Sequence, residues 1–383
     1  MRLKNCHNTD DFRKLARQRL PAPIFHYIDG GADDEITLRR NTTAFDTCDL
    51  VPDVLTGVDS LDLSTTVFGQ KLRFPLLMSP TAMQRLFHHE GERAIAKVAE
   101  RMGTMYGIST IGTRSIEEMG ALTTGPKLFQ LYIHKDKGLT RDLIDRCRAA
   151  RFDALALTVD TIVSGNRERD YRTGMTTPPQ LTLKSLLSFA LHPEWTANYL
   201  LREKFEIANV AKYIRQGTDI ASSVVDYLND QIDPCITWAD AEATRKEWGG
   251  PFAIKGIMSV ADARRAVDIG ASAIMVSNHG GRQLDGSRAP FDQLQAIVDA
   301  VGGEIEIILD GGIRRGTHVL KALAMGATAC SGGRMYLYAL AGAGEAGVER
   351  AMEKLHGEIE RDMMLMGCRS LADLDRSRII QRR

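Results

Sequence analysis

Two stretches late in the chain hold side chains that could do chemistry together. They are Ser277-Asn278-His279-Gly280-Gly281-Arg282-Gln283-Leu284-Asp285 and Asp310-Gly311-Gly312-Ile313-Arg314. An imidazole titrates near neutral pH, which makes His279 a candidate base. The glycines beside it let a small substrate approach closely. Arg282, three residues on, can grip a carboxylate in a bidentate fork. Asp160 is a candidate partner for the imidazole. Lys255 ends an apolar run, where it is either a Schiff-base amine or a fixed positive charge beside a cofactor; position alone does not separate these. The turn at 310–314 and a second one, Ser331-Gly332-Gly333-Arg334, leave backbone N–H groups free for a phosphate. Arg314 and Arg334 would add charge-assisted contacts to the same anion.

These residues need a scaffold that gathers them, and the rest of the sequence predicts one. Eight short apolar runs read as buried parallel strands: Leu72–Ser79, Gly103–Ser109, Lys127–Tyr132, Ala154–Val159, Phe252–Gly256, Ala273–Ser277, Ile305–Leu309 and Ala327–Ser331. Amphipathic helical runs follow most of them: Glu90–Arg101, Leu139–Ala150, Val260–Asp268, Phe291–Val301 and Thr317–Ala324. Several of these joints carry a helix-ending glycine, as at Met102-Gly103, Ile269-Gly270 and Met325-Gly326; Arg151-Phe152-Asp153 lacks it. Eight such units indicate a (β/α)₈ TIM barrel of the α/β class. A doubly wound open sheet is disfavoured, because its glycine-rich fingerprint should follow the first strand and the glycines here gather at the last three. Polar residues stand at every strand end, where barrel enzymes keep their sites: Pro80-Thr81-Ala82-Met83, Ser109-Thr110, Gln130-Leu131-Tyr132, Thr158-Val159-Asp160, Lys255, Ser277 to Asp285, Asp310 to Arg314 and Ser331 to Arg334.

The expected organisation is a single domain over 1–383. It comprises an N-terminal helical cap (1–65, with helices Asp11–Arg19 and Ile36–Phe45), a barrel (66–340) with a long loop-4 insertion (161–250), and a C-terminal helix and tail (341–383). The helix Gly344–Leu365 is expected to pack beside the first. Lysine plus arginine and aspartate plus glutamate number 49 each, so the formal net charge is zero. That balance argues against a general nucleic-acid partner. The six cysteines are scattered without metal-like spacing, so no metal is expected and reduced thiols in the cytoplasm are. The first 20 residues are too polar for a signal peptide.

The motif Ser277–Asp285 resembles the signature of the FMN-dependent α-hydroxy-acid oxidases and dehydrogenases. That family includes L-lactate dehydrogenase, glycolate oxidase, mandelate dehydrogenase and the flavin domain of flavocytochrome b2. The similarity runs from Tyr27-Ile28-Asp29-Gly30-Gly31-Ala32 to Arg334. It implies FMN lying over Pro80, Thr81 and Ala82, with Ser109, Gln130 and Thr158 bonding its polar edge. Lys255 would be a fixed charge that stabilises the reduced, anionic flavin. Ser277 would touch the ribityl chain; Asp310, Gly312, Arg314, Gly333 and Arg334 would hold ribityl and phosphate. Arg282 and Tyr27 would bind the substrate carboxylate with help from Tyr132 and Arg167. His279 would be the base, with Asp160 orienting it. The chain departs from several oxidases of the family in having Ile111 where they have Trp. The activity implied is oxidation of an L-2-hydroxy acid, L-lactate first, with a quinone or cytochrome as acceptor and oxygen as runner-up. A glycolate or mandelate oxidiser is the nearer alternative. A flavin-free barrel lyase or isomerase binding a phosphorylated metabolite is the alternative from another class. The resemblance also implies a homotetramer.

Within the insertion, Leu181–Leu191 is apolar and is followed by Trp195, Tyr199, Leu200 and Leu201. It is too broken to span a bilayer but could lie in its interface, placing the protein peripherally on the inner face of the cell membrane through 178–215. A lid or an oligomer contact burying the same face is the competing expectation.

Overall fold

All eight expected strands form, parallel, each pairing with the next, and the eighth returns to the first to close a barrel. The computed structural model describes residues 1–175, 180–203, 205–211 and 231–382. The strands are β1 (Leu76–Thr81), β2 (Tyr106–Ser109), β3 (Lys127–Leu131), β4 (Ala154–Thr158), β5 (Phe252–Ile257), β6 (Ala273–Val276), β7 (Glu306–Asp310) and β8 (Ala329–Gly332). Helices α1 (Thr9–Arg19), α2 (Ala22–Asp29) and α3 (Ile36–Thr43) precede them. After the first three strands come α4 (Glu92–Met102), α5 (Ile116–Leu122) and α6 (Lys137–Ala149). The β4 crossover carries α7 (Glu168–Thr173), α8 (Leu183–Ala190) and α9 (Pro193–Leu201) before its barrel helix α10 (Trp238–Trp248). The rest are α11 (Val260–Asp268), α12 (Pro290–Val301), α13 (Gly316–Met325) and α14 (Arg334–Leu365).

Several boundaries depart from expectation. The first strand starts at Leu76 rather than Leu72, because Leu72 ends a hairpin of Thr65–Val67 and Gln70–Leu72, and Pro75 has no N–H for a ladder. The cap has a helix the sequence reading left out, α2, opened by Pro21 and Pro23 in its first turn. α14 is two helices joined across a kink at Ala343 and Gly344; it packs on α1, with Leu15 against Gly342 just before the kink. At the joint without glycine, Arg151 itself takes the left-handed conformation (φ 58°), and Phe152 N–H closes the helix end on the Cys147 carbonyl at 3.0 Å.

The two-residue period of the strands explains the inside of the barrel. Leu77, Leu128, Ala154, Ala156, Ala253, Ala273, Met275, Ile308 and Ala329 form one buried cluster, closed from below by Val67, Phe68 and Leu72 of the hairpin. One further step of two along the same strand faces gives Ser79, Gln130, Thr158, Lys255, Ser277, Asp310 and Ser331. The interior therefore changes from apolar to polar within one side-chain layer, at the end where the strands finish.

The cap is tied to the barrel through Asp29, at the end of α2. Its buried carboxylate accepts from Arg13 Nε (2.5 Å) and Nη2 (2.8 Å), Arg169 Nη1 (2.9 Å) and the Tyr338 hydroxyl (2.8 Å). Burial pushes this carboxyl up, but Arg13, Tyr338 and Arg169 together outweigh it, and it sits at about 2 against an ordinary 3.8. A depressed carboxylate stabilises the fold above its unfolded pKa and ceases to as pH falls through the folded one. Asp29→Asn is therefore expected to lower unfolding free energy at pH 7 by about 2 kcal/mol. The gap from wild type should narrow when denaturant unfolding is repeated near pH 3.

Candidate active site

The polar layer opens into a cavity of about 380 Å³ at the C-terminal ends of the strands. At its floor, Lys255 Nζ donates to Asp310 Oδ2 at 2.6 Å and to Ser277 Oγ at 2.8 Å. Ser277 Oγ in turn donates to Asp310 Oδ2 at 2.7 Å, and Ser79 Oγ donates to Asp310 Oδ1. Burial lowers the Lys255 pKa, yet Asp310 and Asp160 raise it further; Asp310 shows the mirror case, with Lys255 outweighing burial. Both groups are thus held charged. Ser277 lies behind this pair and is fully buried rather than on the cavity wall.

Two strand irregularities aim side chains into the cavity. The β1–β2 register slips between Met78 and Thr81, around Pro80, and Pro80, Thr81 and Ala82 all line the wall. The β5–β6 register slips between Lys255 and Ile257, at Gly256, whose φ is 111°. A Cβ on Gly256 would stand 2.7 Å from the Asp160 Cβ, so this glycine makes the space in which Asp160 sits.

Asp160 Oδ1 meets His279 Nδ1 at 2.9 Å across 119 residues of chain. An ionised carboxylate only accepts, so Nδ1 carries the ring proton and Nε2 is the basic nitrogen available to the cavity. Burial pushes the Asp160 carboxyl up, and the His279 and Lys255 charges bring it below its ordinary value. Thr161 Oγ1 supports the pair, at 3.0 Å from Asp160 Oδ1 and 3.2 Å from His279 Nδ1. His279 adopts φ 57°, a turn held by its N–H on Ser277 Oγ (3.2 Å) and by Asn278. Asn278 and Asn41 of α3 exchange amide hydrogen bonds at 2.7 and 2.8 Å.

On the opposite wall, the Arg282 and Arg167 guanidiniums stand 4.9 and 5.3 Å from the Tyr27 ring centroid. Arg282 donates to the Tyr27 carbonyl at 2.5 Å, and Arg167 Nε is 3.4 Å from Asp170 Oδ2. Burial, then the Arg167 charge, pushes Arg282 down to about 10. Two neighbouring cations in a dry cleft favour an anion between them. Burial also raises the Tyr132 phenol, so it stays a donor. Tyr27, Tyr132, Arg167, Arg282 and His279 all line the one cavity.

At the phosphate-type turns, Gly312 (φ 76°) leaves no room for a side chain: a Cβ there would fall 2.0 Å from the Asn41 carbonyl oxygen. Gly333 and Arg314 line the same wall, and burial lowers Arg314. Arg334 is differently engaged. Its Nε, Nη1 and Nη2 donate to the carbonyls of Ile28, Gly280 and Gly30 at 2.8, 2.8 and 2.7 Å, which binds α2 to the barrel mouth.

Residues 16–381 match the family model described as FMN-dependent dehydrogenase. The chain belongs to that family. It is 39% identical to an L-lactate dehydrogenase of Vibrio cholerae over 97% of this chain and 98% of the relative. It is 42% identical to an L-lactate oxidase of a Nostoc species over 97% of each. Among solved structures it resembles a monotopic membrane protein, (S)-mandelate dehydrogenase, with a TM-score of 0.94 at 31% identity, over 99% of this chain and all of that one. The chain is therefore an FMN-dependent enzyme that oxidises 2-hydroxy acids.

The cavity fits that cofactor on its own terms. Gln130 Nε2 and Thr158 Oγ1 are buried polar atoms without a hydrogen-bond partner, and both residues line the wall. Ser109 Oγ holds Gln130 Oε1 at 2.9 Å, which fixes the amide with its donor unsatisfied. Sequence reasoning missed Ser79, Thr161, Asn41 and Gly256, all next to residues it named or one strand away. Thr158→Val is expected to weaken FMN binding about tenfold, one net buried hydrogen bond. Titration of apoprotein with FMN, read by loss of flavin fluorescence, checks this.

Proposed function

We propose that the protein oxidises L-lactate to pyruvate, with His279 as the base. The observation that carries the reading is the His279–Asp160 contact at 2.9 Å facing the Arg282–Tyr27–Arg167 group across one cavity. The guanidiniums and the Tyr27 and Tyr132 hydroxyls orient a carboxylate, which leaves the α-carbon and its hydroxyl toward His279. His279 Nε2 takes the proton that leaves the substrate, and the Asp160 carboxylate stabilises the imidazolium that forms. Bound FMN supplies the two-electron acceptor. Lys255 gives a fixed positive charge where negative charge accumulates. Pro80, Thr81, Ala82, Ser109, Gln130 and Thr158 would hold the ring system. Gly312, Arg314 and Gly333 would hold the phosphate end, with Asp310 and Ser277 fixing Lys255 and Arg334 tying α2 to the barrel mouth. Ile111 and Met83 give the wall an apolar side that would receive the substrate's alkyl substituent.

The acceptor in this reading is a membrane quinone. Its support is the insertion, where Leu183, Leu200 and Leu201 stand 85%, 70% and 82% exposed on α8 and α9. No helix among the described residues is long and apolar enough to cross a membrane, so contact would be interfacial. Residues 178, 179, 204 and 212–215 of the expected membrane segment lie outside the described residues. Oxygen is the second reading, favoured by the identity to a lactate oxidase.

His279→Gln should retain FMN and lose flavin reduction by L-lactate in anaerobic mixing; near-normal reduction would refute the base assignment. In cell fractionation at low salt, the intact protein should partition to membranes and a Leu200→Gln/Leu201→Gln variant to the soluble fraction. A wholly soluble wild type would refute the membrane contact.

A further inference from the structure

A second cavity, of about 310 Å³, lies beside the first, between α9, the loop that follows β1, and the break in α14. Its volume falls within the roughly 300–1,000 Å³ range of small-ligand sites. The two cavities share one wall residue, Phe87, whose ring stacks on Tyr27 with centroids 6.2 Å apart. On the far side, Trp195 and Tyr199 of α9 stack at 5.1 Å and 10° and offer a flat aromatic face. The Trp195 indole N–H donates to the Leu86 carbonyl at 2.8 Å, which fixes that face against the β1 loop. His88, His89, Asn198, Arg85 and the Arg19–Glu194 ion pair supply the polar side. Burial pushes His88 down to about 4 and lowers His89, so both rings are neutral at pH 7 and each keeps one N–H to donate. His89 Nδ1 is buried without a hydrogen-bond partner. Leu200 and Leu201, which follow Tyr199 on α9, are exposed.

We propose that this second cavity binds the head group of a membrane quinone. The inference rests on the quinone reading above and assigns it a place. A quinone is a flat ring with two carbonyl acceptors and an apolar tail. The ring suits the Trp195–Tyr199 face, the carbonyls suit imidazole donors, and the tail suits the leucines of α9. Phe87, common to both walls, stands between this cavity and the flavin cavity. The step balances: the substrate loses two electrons and two protons to become a 2-oxo acid, and the quinone gains both pairs to become a quinol. Bound FMN would supply the two electrons, and one proton would balance the one it gained from the substrate. The other replaces, through solvent and the His88–His89 pair, the one taken up by His279.

The test uses full-length, FMN-loaded protein and a short-tailed benzoquinone, with two variants away from the catalytic cavity: Asn198→Phe, which fills the space, and His89→Leu, which removes a donor. Binding is read by quenching of tryptophan emission, since Trp195 is in the wall. Electron transfer is read as anaerobic re-oxidation of lactate-reduced flavin. Expected is a loss of about tenfold in both quinone affinity and quinone-dependent re-oxidation in each variant. Flavin reduction by lactate and re-oxidation by ferricyanide should stay at wild-type rates, which also shows that the variants fold. If both variants bind and use the quinone as wild type does, the cavity is not its site, although the quinone reading stands. If the wild type re-oxidises with oxygen or a cytochrome and with no quinone, that reading fails and the inference with it.

Discussion

Lys255 and Asp310 belong to strands that are not neighbours, and their 2.6 Å contact crosses the mouth of the barrel. Ser277, from the strand between them, bonds both, and Ser79 bonds Asp310 from the other side. A buried ion pair is safe only when its other hydrogen-bonding valences are met, and losing one member leaves the second charge stranded at about 3–5 kcal/mol. The pair therefore needs a barrel closed to the right register. In return it fixes a permanent cation under a cavity that must receive electrons. The apolar layer one step below keeps that charge in a low-dielectric setting, where it acts more strongly than it would in water.

The rest of the site is assembled by a segment outside the barrel. Tyr27 is on α2, and α2 is held by Asp29 to α1, α7 and α14, and by Arg334 to the turn that carries His279. The Tyr27 wall and the turn that carries His279 are thus coupled through one arginine, Arg334, that donates to three backbone carbonyls. The neutral net charge conceals this local excess of cations: Lys255, Arg167, Arg282, Arg314 and Arg334 converge on a single cavity.

Strand type and order were legible because parallel strands buried on both faces read as apolar runs and end in polar residues. The pairing of His279 with Asp160 was legible as chemistry, but its geometry depends on barrel closure across 119 residues. Three features left weaker traces. Leu72, the last residue of the hairpin that plugs the barrel bottom, reads as part of the first strand, since only Arg73-Phe74-Pro75 separates it from Leu76. The α2 helix is eight residues long and begins with prolines, so its period is too short to read. Gly256 gave no motif, because its role is to be absent from the space that Asp160 takes.

The proposed role of this cavity is to hold a 2-hydroxy acid between the guanidiniums and His279 so that it reduces FMN. Anaerobic rapid mixing of the purified protein with L-lactate, glycolate and mandelate, followed by flavin absorbance, tests it most directly. The account predicts a yellow protein whose flavin bleaches fastest with L-lactate. A colourless protein, or a flavin that none of the three acids bleaches, would contradict it.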